Sequence, residues 1–291
     1  MTALSPASAP GTGATRPVRL GRVDYVNVLP VYMGLEQDGT ACELVRGVPT
    51  ALNRALREGA VDCAPVSAVE VAHAEGRYAV LEGLSIASRG AVGSSLLVSR
   101  RPPAELDGAR LAMTTHSAAS LAYVQVLCAR LWRITPEPVA AEPDLDAMLA
   151  TADACVLIGN PALTAAAVAE QRGDLVVTDI GAAWAELTGL PCVFAVWALH
   201  RDRAAAEPGL AALLRDELLR GRAWGRDPAH RAALDHRAAA ETGLGIDRMH
   251  AYLDLQDYEL TEEHRRGLAR LFAELHALDL APAPRPLELL A

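Results

Sequence analysis

The stretch VDYVNVLPVYMGLE, residues 23–36, sets the first expectation about the fold. The apolar run RLGRVDYV predicts a β-strand that ends in Asn27, and Pro30 favours the first turn of a helix over VYMGLE. In α/β proteins the turn after the first strand often holds a ligand. Phosphate sites place several glycines in that turn, whereas this turn is Asn-Val-Leu-Pro. The stretch therefore predicts a strand–turn–helix unit that offers an amide to its ligand.

Short strand patterns alternate with helical patterns through the first half of the chain. ACELVRG, VDCAPVS and YAVLEGLSIAS predict strands, and VPTALNRALREGA and AVEVAHAEGR predict the helices between them. This β-α-β-α-β order is typical of a doubly wound parallel sheet. A second alternating unit runs from ARLAM to LVVTDI, and the pattern after Arg201 is helical to the end.

Two apolar segments, SSLLVS and PCVFAVWAL, flank the second unit. They resemble the two crossovers of a type II periplasmic-binding-protein-like fold, an α/β architecture in which the second lobe is inserted into the first. We expect a first lobe of residues 18–97 plus 199–291, which includes the C-terminal helices, and a second lobe of residues 98–198. Residues 1–17 are rich in Ala, Ser, Thr, Gly and Pro, and we expect a disordered tail there. The ligand of such a fold is expected in the cleft between the lobes.

The composition narrows the classes of function. The formal net charge is -9 and no basic patch stands out, so nucleic acid is not an expected partner. All 27 basic residues are Arg, and without Lys neither a Schiff base nor a P-loop lysine is available. The five Cys lack a C-x-x-C spacing, which argues against a disulfide framework or a zinc site. No signal-peptide core or membrane-length apolar run stands out, so we expect a cytoplasmic protein without a membrane partner.

Polar residues recur where predicted strands end and predicted helices begin. They are Asn27, Ser67, Ser94, Ser95, Thr114, Thr115, Ser117, Gly159 and Asn160. Helix amino ends offer free N–H groups and a positive dipole end, which suit carboxylates. Each residue taken singly also fits a capping or turn role, so the prediction depends on the whole set. The set predicts a site for an anionic, oxygen-rich small molecule.

Familiar catalytic motifs are absent from the sequence. It contains no G-x-S-x-G, no H-E-x-x-H, no P-loop and no G-x-G-x-x-G after a strand. His73 and His116 lie near predicted cleft turns, but neither has an obvious Cys or Asp partner. Five other histidines fall on polar helical stretches and are expected to be solvated: His230, His236, His250, His264 and His276.

The opening stretch resembles that of the chorismate dehydratase family of the futalosine route to menaquinone. Its matching residues are Gly21, Tyr25, Asn27, Pro30, Gly34 and Leu35. VDCAPVSAVE is similar to a second family segment through Asp62, Ala64 and Ser67, and SRGAVGSSLLVSRRP is similar to the family's crossover. The most specific match is DIGAAWAELTGLPCVFAVW, through Asp179, Gly181, Trp184, Thr188, Gly189, Leu190, Pro191 and Phe194. In VLIGNPAL, Asn160 stands where the family pattern has Asp.

The resemblance implies the two-lobed fold and a reaction. Chorismate would lose water to give 3-[(1-carboxyvinyl)oxy]benzoate, with no metal and no organic cofactor. The ligand at Asn27 would then be a dicarboxylate that has a hydroxyl to lose. Asn27 is the expected catalytic residue, in contact with that hydroxyl or with a carboxylate, and one of the substrate's own carboxylates is a hypothesis for the proton acceptor. The residues expected to bind substrate are Ser67, Ser94, Ser95, Thr115, Ser117, Gly159 and Asn160.

Other interpretations stay open at this point. The sister enzyme of the same route, 1,4-dihydroxy-6-naphthoate synthase, opens with a Ser-Pro-Cys-Pro-Asn-like stretch, where this chain has VDYVNVLP. A non-catalytic solute-binding protein for a small carboxylate normally carries an export signal, and none is visible. A LysR-type effector domain would follow a helix-turn-helix segment, and none precedes the first lobe. The sequence leaves open whether the chain forms a homodimer.

Overall fold

The computed structural model describes residues 17–291, so the tail predicted at residues 1–17 lies outside the described residues except for Pro17. The strands are β1 (Val18–Val23), β2 (Cys42–Gly47), β3 (Cys63–Ser67), β4 (Tyr78–Ser88), β5 (Ser95–Ser99), β6 (Arg110–Thr114), β7 (Glu137–Ala141), β8 (Ala154–Ile158), β9 (Val176–Asp179), β10 (Cys192–His200) and β11 (Leu289–Leu290). The α-helices are α1 (Leu29–Asp38), α2 (Pro49–Arg57), α3 (Ala68–His73), α4 (Ala119–Leu127), α5 (Leu145–Thr151), α6 (Gly159–Arg172), α7 (Ile180–Thr188), α8 (Arg201–Ala206), α9 (Leu210–Arg226), α10 (Arg231–Thr242), α11 (Ile246–Asp254) and α12 (Glu262–Ala277).

Two sheets define the two lobes. Lobe 1 is the six-stranded sheet with the order β11-β4-β10-β3-β1-β2, together with the helices that cover it. Lobe 2 is the five-stranded sheet with the order β7-β6-β8-β5-β9 and its own helices. The strands of lobe 2 lie between β4 and β10 in sequence, so the second lobe is inserted into the first, and the predicted two-lobed fold is confirmed.

Neither sheet is purely parallel, which corrects the expectation drawn from the alternating pattern. In lobe 1, β2, β1 and β3 are parallel, but β10 runs antiparallel to both β3 and β4. In lobe 2, β6 is parallel to β7 and β8, whereas β5 runs antiparallel to β8 and β9. The antiparallel strands are the ones next to the crossovers. Their direction is set by where the chain enters or leaves a lobe, and a local sequence pattern does not predict strand direction.

The crossovers lie slightly before the expected lobe boundaries. The first sheet gives way to the second between Ser88 and Ser95, and the chain returns between Thr188 and Cys192. The expected boundaries at residues 97 and 198 fall inside β5 and β10 instead. β5 therefore belongs wholly to lobe 2 and β10 wholly to lobe 1.

The first strand ends earlier than the apolar pattern predicts. β1 ends at Val23, and a single 3-10 turn over Val26–Val28 joins it to α1, with Pro30 in the first turn of that helix. Asn27 therefore lies in the middle of a tight turn and not at the end of the strand. Packing of α1 against α9 holds this turn in place. Gly225 of α9 lies so close to Pro30 that a Cβ added at position 225 would be 1.9 Å from the Pro30 carbonyl oxygen.

The C-terminal helices belong to lobe 1 and contact the first crossover. Asp257, in the link between α11 and α12, pairs with Ala87 at the end of β4 and accepts a hydrogen bond from Arg89 Nε at 3.0 Å. Asp257 also contacts His264, which is fully buried, so the expectation that His264 is solvated is wrong. No helix in the part of the chain that the structure describes has the length and apolar character needed to cross a membrane.

Candidate active site

A cavity lies between the two lobes, where strands from both sheets end. It spans about 580 Å³, part of it open to solvent. Lobe 1 and the crossovers contribute Val23, Tyr25, Asn27, Pro49, Pro65, Ser67, Ile86, Val92, Ser94, Phe194 and Ala195 to its wall, and lobe 2 contributes Ser95, Ser117, Ala119, Ser120, Ile158 and Gly159. Six of the eight expected site residues are therefore brought together here: Asn27, Ser67, Ser94, Ser95, Ser117 and Gly159.

The backbone of Asn27 is hydrogen-bonded within the protein, whereas its side chain is available to a ligand in the cavity. Its carbonyl oxygen accepts a hydrogen bond from the Tyr258 hydroxyl, which fixes the 3-10 turn. Its side-chain Oδ1 is buried and has no hydrogen-bond partner among residues 17–291. A buried acceptor without a donor costs about 1–3 kcal/mol. Such an atom in a cavity wall indicates a partner supplied by the ligand.

Two serines accept hydrogen bonds from backbone amides and keep their own hydrogen free. Ser67, at the end of β3, accepts from the Glu70 amide at 3.1 Å while its own amide donates to Asn53 Oδ1 at 3.0 Å. Ser117, before α4, accepts from the Ser120 amide at 3.1 Å. Because an amide can only donate, each serine oxygen acts as the acceptor in that bond. The hydroxyl hydrogens of Ser67 and Ser117 are then available to acceptors on a ligand.

The other two expected serines lie at the first crossover. The Tyr252 hydroxyl donates to Ser94 Oγ at 2.9 Å, and Ser95 Oγ donates to Ser120 Oγ at 2.9 Å. Burial raises the pKa of Tyr252, which keeps its phenol protonated and able to donate. The oxygens of Ser94 and Ser120 thus already have donors from the protein, whereas Ser95 uses its hydrogen within the protein.

The first crossover is held in place by Asp179, at the amino end of α7. Its carboxylate accepts from the amides of Val92 and Gly93, at 3.1 and 2.7 Å, and caps the helix through the Ala182 amide at 3.0 Å. This arrangement fixes the segment immediately before Ser94. The helix α7 itself was not predicted, since its sequence IGAAWAELT is short and lies between two strongly apolar runs.

Tyr25 and Gly159 meet across the cleft. The Tyr25 ring from lobe 1 lies over Gly159 in lobe 2 so closely that a Cβ at position 159 would be 2.6 Å from ring carbons. Gly159 also has a φ of +60°, and its amide donates to the Ser94 carbonyl at 2.8 Å. The Tyr25 hydroxyl lies 3.4 Å from His116 Nδ1 of lobe 2. Burial, with a smaller contribution from Asp24, raises the pKa of Tyr25 to about 12.

Two expected site residues lie outside the cavity wall. The Thr115 hydroxyl donates to Glu142 Oε1 at 2.9 Å. Asn160 Oδ1 accepts from the Val26 amide at 3.1 Å, so this side chain joins the two lobes beside the cavity. Thr114 is likewise absent from the wall; its hydroxyl accepts from the His116 amide at 3.2 Å. Asn160 follows the wall residue Gly159 directly, whereas Thr115 and Thr114 lie two and three residues before the wall residue Ser117. Neighbouring side chains at these positions point in different directions.

The cavity wall has no formal charge. None of the lining residues is Asp, Glu, His or Arg, and Tyr25 is the most acidic of them. Among residues 17–291, no cluster of three or more His, Cys, Asp or Glu has the arrangement needed to hold a metal ion. Hydroxyls, amides and apolar side chains can bind a planar or ring-shaped ligand and donate to its oxygens.

Sequence reasoning did not assign a role to Tyr25, Ser120 or Phe194, all of which line the cavity. Tyr25 and Phe194 stand in the segments that resemble a known family, which was the available signal. Ser120 lies three residues after Ser117, the spacing of one helical turn, and that spacing could have marked it as a neighbour.

Comparison with known proteins gives a matching family, and the relatives found include two enzymes of Thermus thermophilus. The model of a family described as menaquinone biosynthesis matches residues 18–277. The chain is 30% identical over 279 residues to the chorismate dehydratase of Thermus thermophilus, covering 92% of this chain and 98% of that one. It is 32% identical over 250 residues to the 1,4-dihydroxy-6-naphtoate synthase of the same organism, covering 81% of this chain and 84% of that one.

Similar solved structures share the fold. A protein from Archaeoglobus fulgidus superposes with a TM-score of 0.72 at 18% identity and covers 90% of this chain and 98% of its own. The periplasmic aliphatic sulphonate binding protein SsuA from Escherichia coli superposes with a TM-score of 0.65 at 14% identity, covering 96% and 95%. These likenesses place the chain among periplasmic-binding-protein-like folds.

Proposed function

Since the chain belongs to the menaquinone biosynthesis family, we propose that it is a cytoplasmic chorismate dehydratase. This hydro-lyase would convert chorismate into 3-[(1-carboxyvinyl)oxy]benzoate and water. The chorismate dehydratase of Thermus thermophilus matches more of the chain than the naphthoate synthase does, 92% against 81%. The opening motif around Asn27 favours the same choice.

The observation that carries the proposal is the buried, unpartnered Oδ1 of Asn27 in the cavity wall. This atom is an acceptor and needs a donor from the ligand. A carboxylate has no hydrogen to donate, whereas the ring hydroxyl of chorismate has one. Asn27 would therefore hold the hydroxyl that leaves and fix its orientation relative to the breaking bond.

The serines supply hydrogen-bond donors, which the two carboxylates of the same substrate require. Each of the two carboxylates of chorismate is an acceptor that requires several donors. Both oxygens accept from backbone amides, and neither hydroxyl donates to another group within residues 17–291, so the hydroxyl hydrogens of Ser67 and Ser117 are left for a ligand. The amino end of α4, beside Ser117 and Ser120, adds a positive dipole end. A wall with one bare acceptor and several free hydroxyl hydrogens is complementary to a hydroxylated dicarboxylate.

The elimination needs a proton acceptor, and the wall offers no side-chain carboxylate or imidazole for that task. We infer that one of the substrate's own carboxylates takes the ring proton. The new ring is aromatic, so the reaction is downhill and the protein need only orient the groups and stabilise developing charge. The contacts of Val26 with Asn160 and of Tyr25 with Gly159 would close the lobes over the substrate and exclude water.

The test is to mix the purified protein with chorismate, without added metal or cofactor, and to follow the products by mass spectrometry. We expect a product lighter by one water. Asn27→Ala should lower the rate by about 10²-fold, the loss seen when one oriented polar group is removed from a reacting centre. Ser99→Ala is the matched control, because Ser99 is a buried serine of lobe 2 whose hydroxyl donates to the Arg101 carbonyl and does not line the cavity.

Unchanged chorismate in the presence of folded protein would contradict the proposal. Thermal stabilisation by chorismate without turnover would then favour a binding protein, because a ligand that binds only the folded state raises its stability. If chorismate is neither turned over nor able to stabilise the protein, the result would favour the naphthoate synthase reaction.

A further inference from the structure

We propose that Tyr25 is a second catalytic residue, whose phenol donates the proton that turns the departing hydroxide into water. This assignment rests on the proposed dehydratase function and adds to it the group that acts on the leaving side of the reaction.

The position of Tyr25 supports this role. It lies two residues before Asn27 on the same short link between β1 and α1, and both side chains line the cavity. If Asn27 Oδ1 accepts the hydrogen of the substrate hydroxyl, the oxygen of that hydroxyl keeps its lone pairs for a donor. Tyr25 is 7% exposed, and within residues 17–291 its hydroxyl has only His116 as a hydrogen-bonding neighbour.

Tyr25 also has suitable chemistry. The other polar side chains of the wall are serines and one carboxamide, which are weaker acids than a phenol. A buried phenol whose pKa is about 12 stays protonated at neutral pH and is ready to donate. It is nevertheless a much stronger acid than water, so protonation of hydroxide by Tyr25 is downhill.

The protons and electrons balance without another reagent. The substrate's carboxylate takes the ring proton, the C–H electron pair forms the new C=C bond, and the C–O bond breaks with its pair on oxygen. The departing hydroxide takes the Tyr25 proton and becomes water. The phenolate then recovers a proton from the carboxylic acid formed in the first step, so that one molecule of water leaves and the protein returns to its starting state.

His116 is the positioning residue for Tyr25. Its Nδ1 faces the Tyr25 hydroxyl at 3.4 Å, and its Nε2 lies 3.5 Å from Glu142 Oε2. Thr115 donates to the other oxygen of Glu142 and holds that carboxylate in place. The imidazole belongs to lobe 2 and the phenol to lobe 1, so the pair forms only when the lobes are closed. Closure would thus place the acid and cover the substrate in one movement.

The experiment compares steady-state kinetics and product binding in Tyr25→Phe, which keeps the ring over Gly159 and removes only the hydroxyl. We expect kcat to fall about 10²-fold, the lower end for loss of a general acid, while KM and the affinity for the benzoate product change less than about threefold. Tyr78→Phe is the matched control: it removes a phenol that contacts Glu70 and does not line the cavity, and its kcat should equal that of the wild type.

His116→Ala tests the positioning role through a double-mutant cycle. We expect kcat to fall about tenfold in the wild-type background and not to fall further in the Tyr25→Phe background, because His116 acts through the phenol. Independent losses in the double variant would contradict that role for His116.

The outcomes separate this inference from the proposed function. A wild-type protein that leaves chorismate intact overturns both. An active wild type whose Tyr25→Phe variant keeps kcat within about threefold overturns the assignment of Tyr25 alone. Parallel losses of kcat and product affinity would also overturn it, since they would mean that the hydroxyl supports binding and not proton transfer.

Discussion

The backbone amide of Val26 in lobe 1 donates a hydrogen bond to the side-chain Oδ1 of Asn160 in lobe 2, at 3.1 Å. Val26 precedes Asn27, and Asn160 follows Gly159, so this bond joins the two chain segments that bring Asn27 and Gly159 to the cavity. It ties the position of the turn that carries Asn27 to the position of the opposite lobe.

Removing this bond should weaken substrate binding more than it slows the chemical step. In Asn160→Ala the Val26 amide loses its acceptor, which costs about 1 kcal/mol, and we expect KM to rise about fivefold with kcat within twofold of the wild type. Asn160→Asp keeps an acceptor at the same place and should retain near-wild-type KM. Steady-state kinetics on the two variants checks this. An Asp variant as weak as the Ala variant would show that the neutral amide itself is required.

Gly159 and Gly173, at the two ends of α6, form a matched pair for testing the cleft contact. Both have positive φ, +60° and +68°, but a Cβ at position 159 would meet the Tyr25 ring, whereas a Cβ at position 173 has no neighbour within 4 Å. Each substitution by Ala should cost about 1 kcal/mol of backbone strain, measured by chemical denaturation. Only Gly159→Ala should also lower kcat/KM, by tenfold or more, because the lobes cannot close. Equal kinetics in the two variants would contradict this.

We expect Asn27 to lower the free energy of unfolding of the ligand-free protein. Its buried Oδ1 has no donor there, so Asn27→Leu, of similar volume, should raise the free energy of unfolding by about 1 kcal/mol while turnover falls about 10²-fold. Chemical denaturation of the ligand-free protein measures the first effect and the chorismate assay the second. A variant that is less stable than the wild type would mean that the amide has a structural role.

Asp257 should make the fold sensitive to acid. Burial alone would raise the pKa of Asp257, but hydrogen bonds from His264 and the Glu259 amide, with the charge of Arg89 nearby, lower it to about 2. Because the folded-state pKa lies below the unfolded value of about 3.9, the stabilisation is complete above pH 4 and is lost as the pH falls from about 4 to 2. Its size is on the order of 2 kcal/mol.

Asp257→Asn removes this titration. Between pH 4 and pH 2 the free energy of unfolding of the wild type should fall more steeply than that of the variant, by up to about 2 kcal/mol over the interval. Urea denaturation at a series of pH values measures both slopes. Parallel curves for the two proteins would show that the acid sensitivity arises elsewhere.

The fold was predictable from the sequence because strand and helix patterns alternate clearly and two long apolar segments flank the second unit. What those patterns cannot contain is strand direction. β10 and β5 were recognised as strands, but their antiparallel pairing depends on partners far away in sequence. The same holds for the two-residue strand β11, whose existence depends on the β4 edge beside it.

The candidate site was predictable at the level of turns and less so at the level of side chains. Asn27, Ser67 and Gly159 follow strands that end at the cleft, so their position could be inferred from topology alone. Thr115 and Asn160 lie in the turns that carry Ser117 and Gly159, but their side chains bond to Glu142 and Val26 outside the cavity wall. His264 shows the same limit, since a polar helical pattern gave no sign that its ring caps a helix and is buried against Asp257.

The insertion of lobe 2 has a consequence for how the chain acquires its structure. Ser88 at the end of β4 and Cys192 at the start of β10 are register partners, so the chain leaves the lobe 1 sheet and re-enters it at adjacent positions. The intervening segment is continuous, and the pairings of β5 with β8 and β9 close shorter loops than the pairing of β4 with β10, which must close the loop that contains the whole segment. Local contacts form sooner than those that close long loops, so the guest lobe should fold ahead of its host.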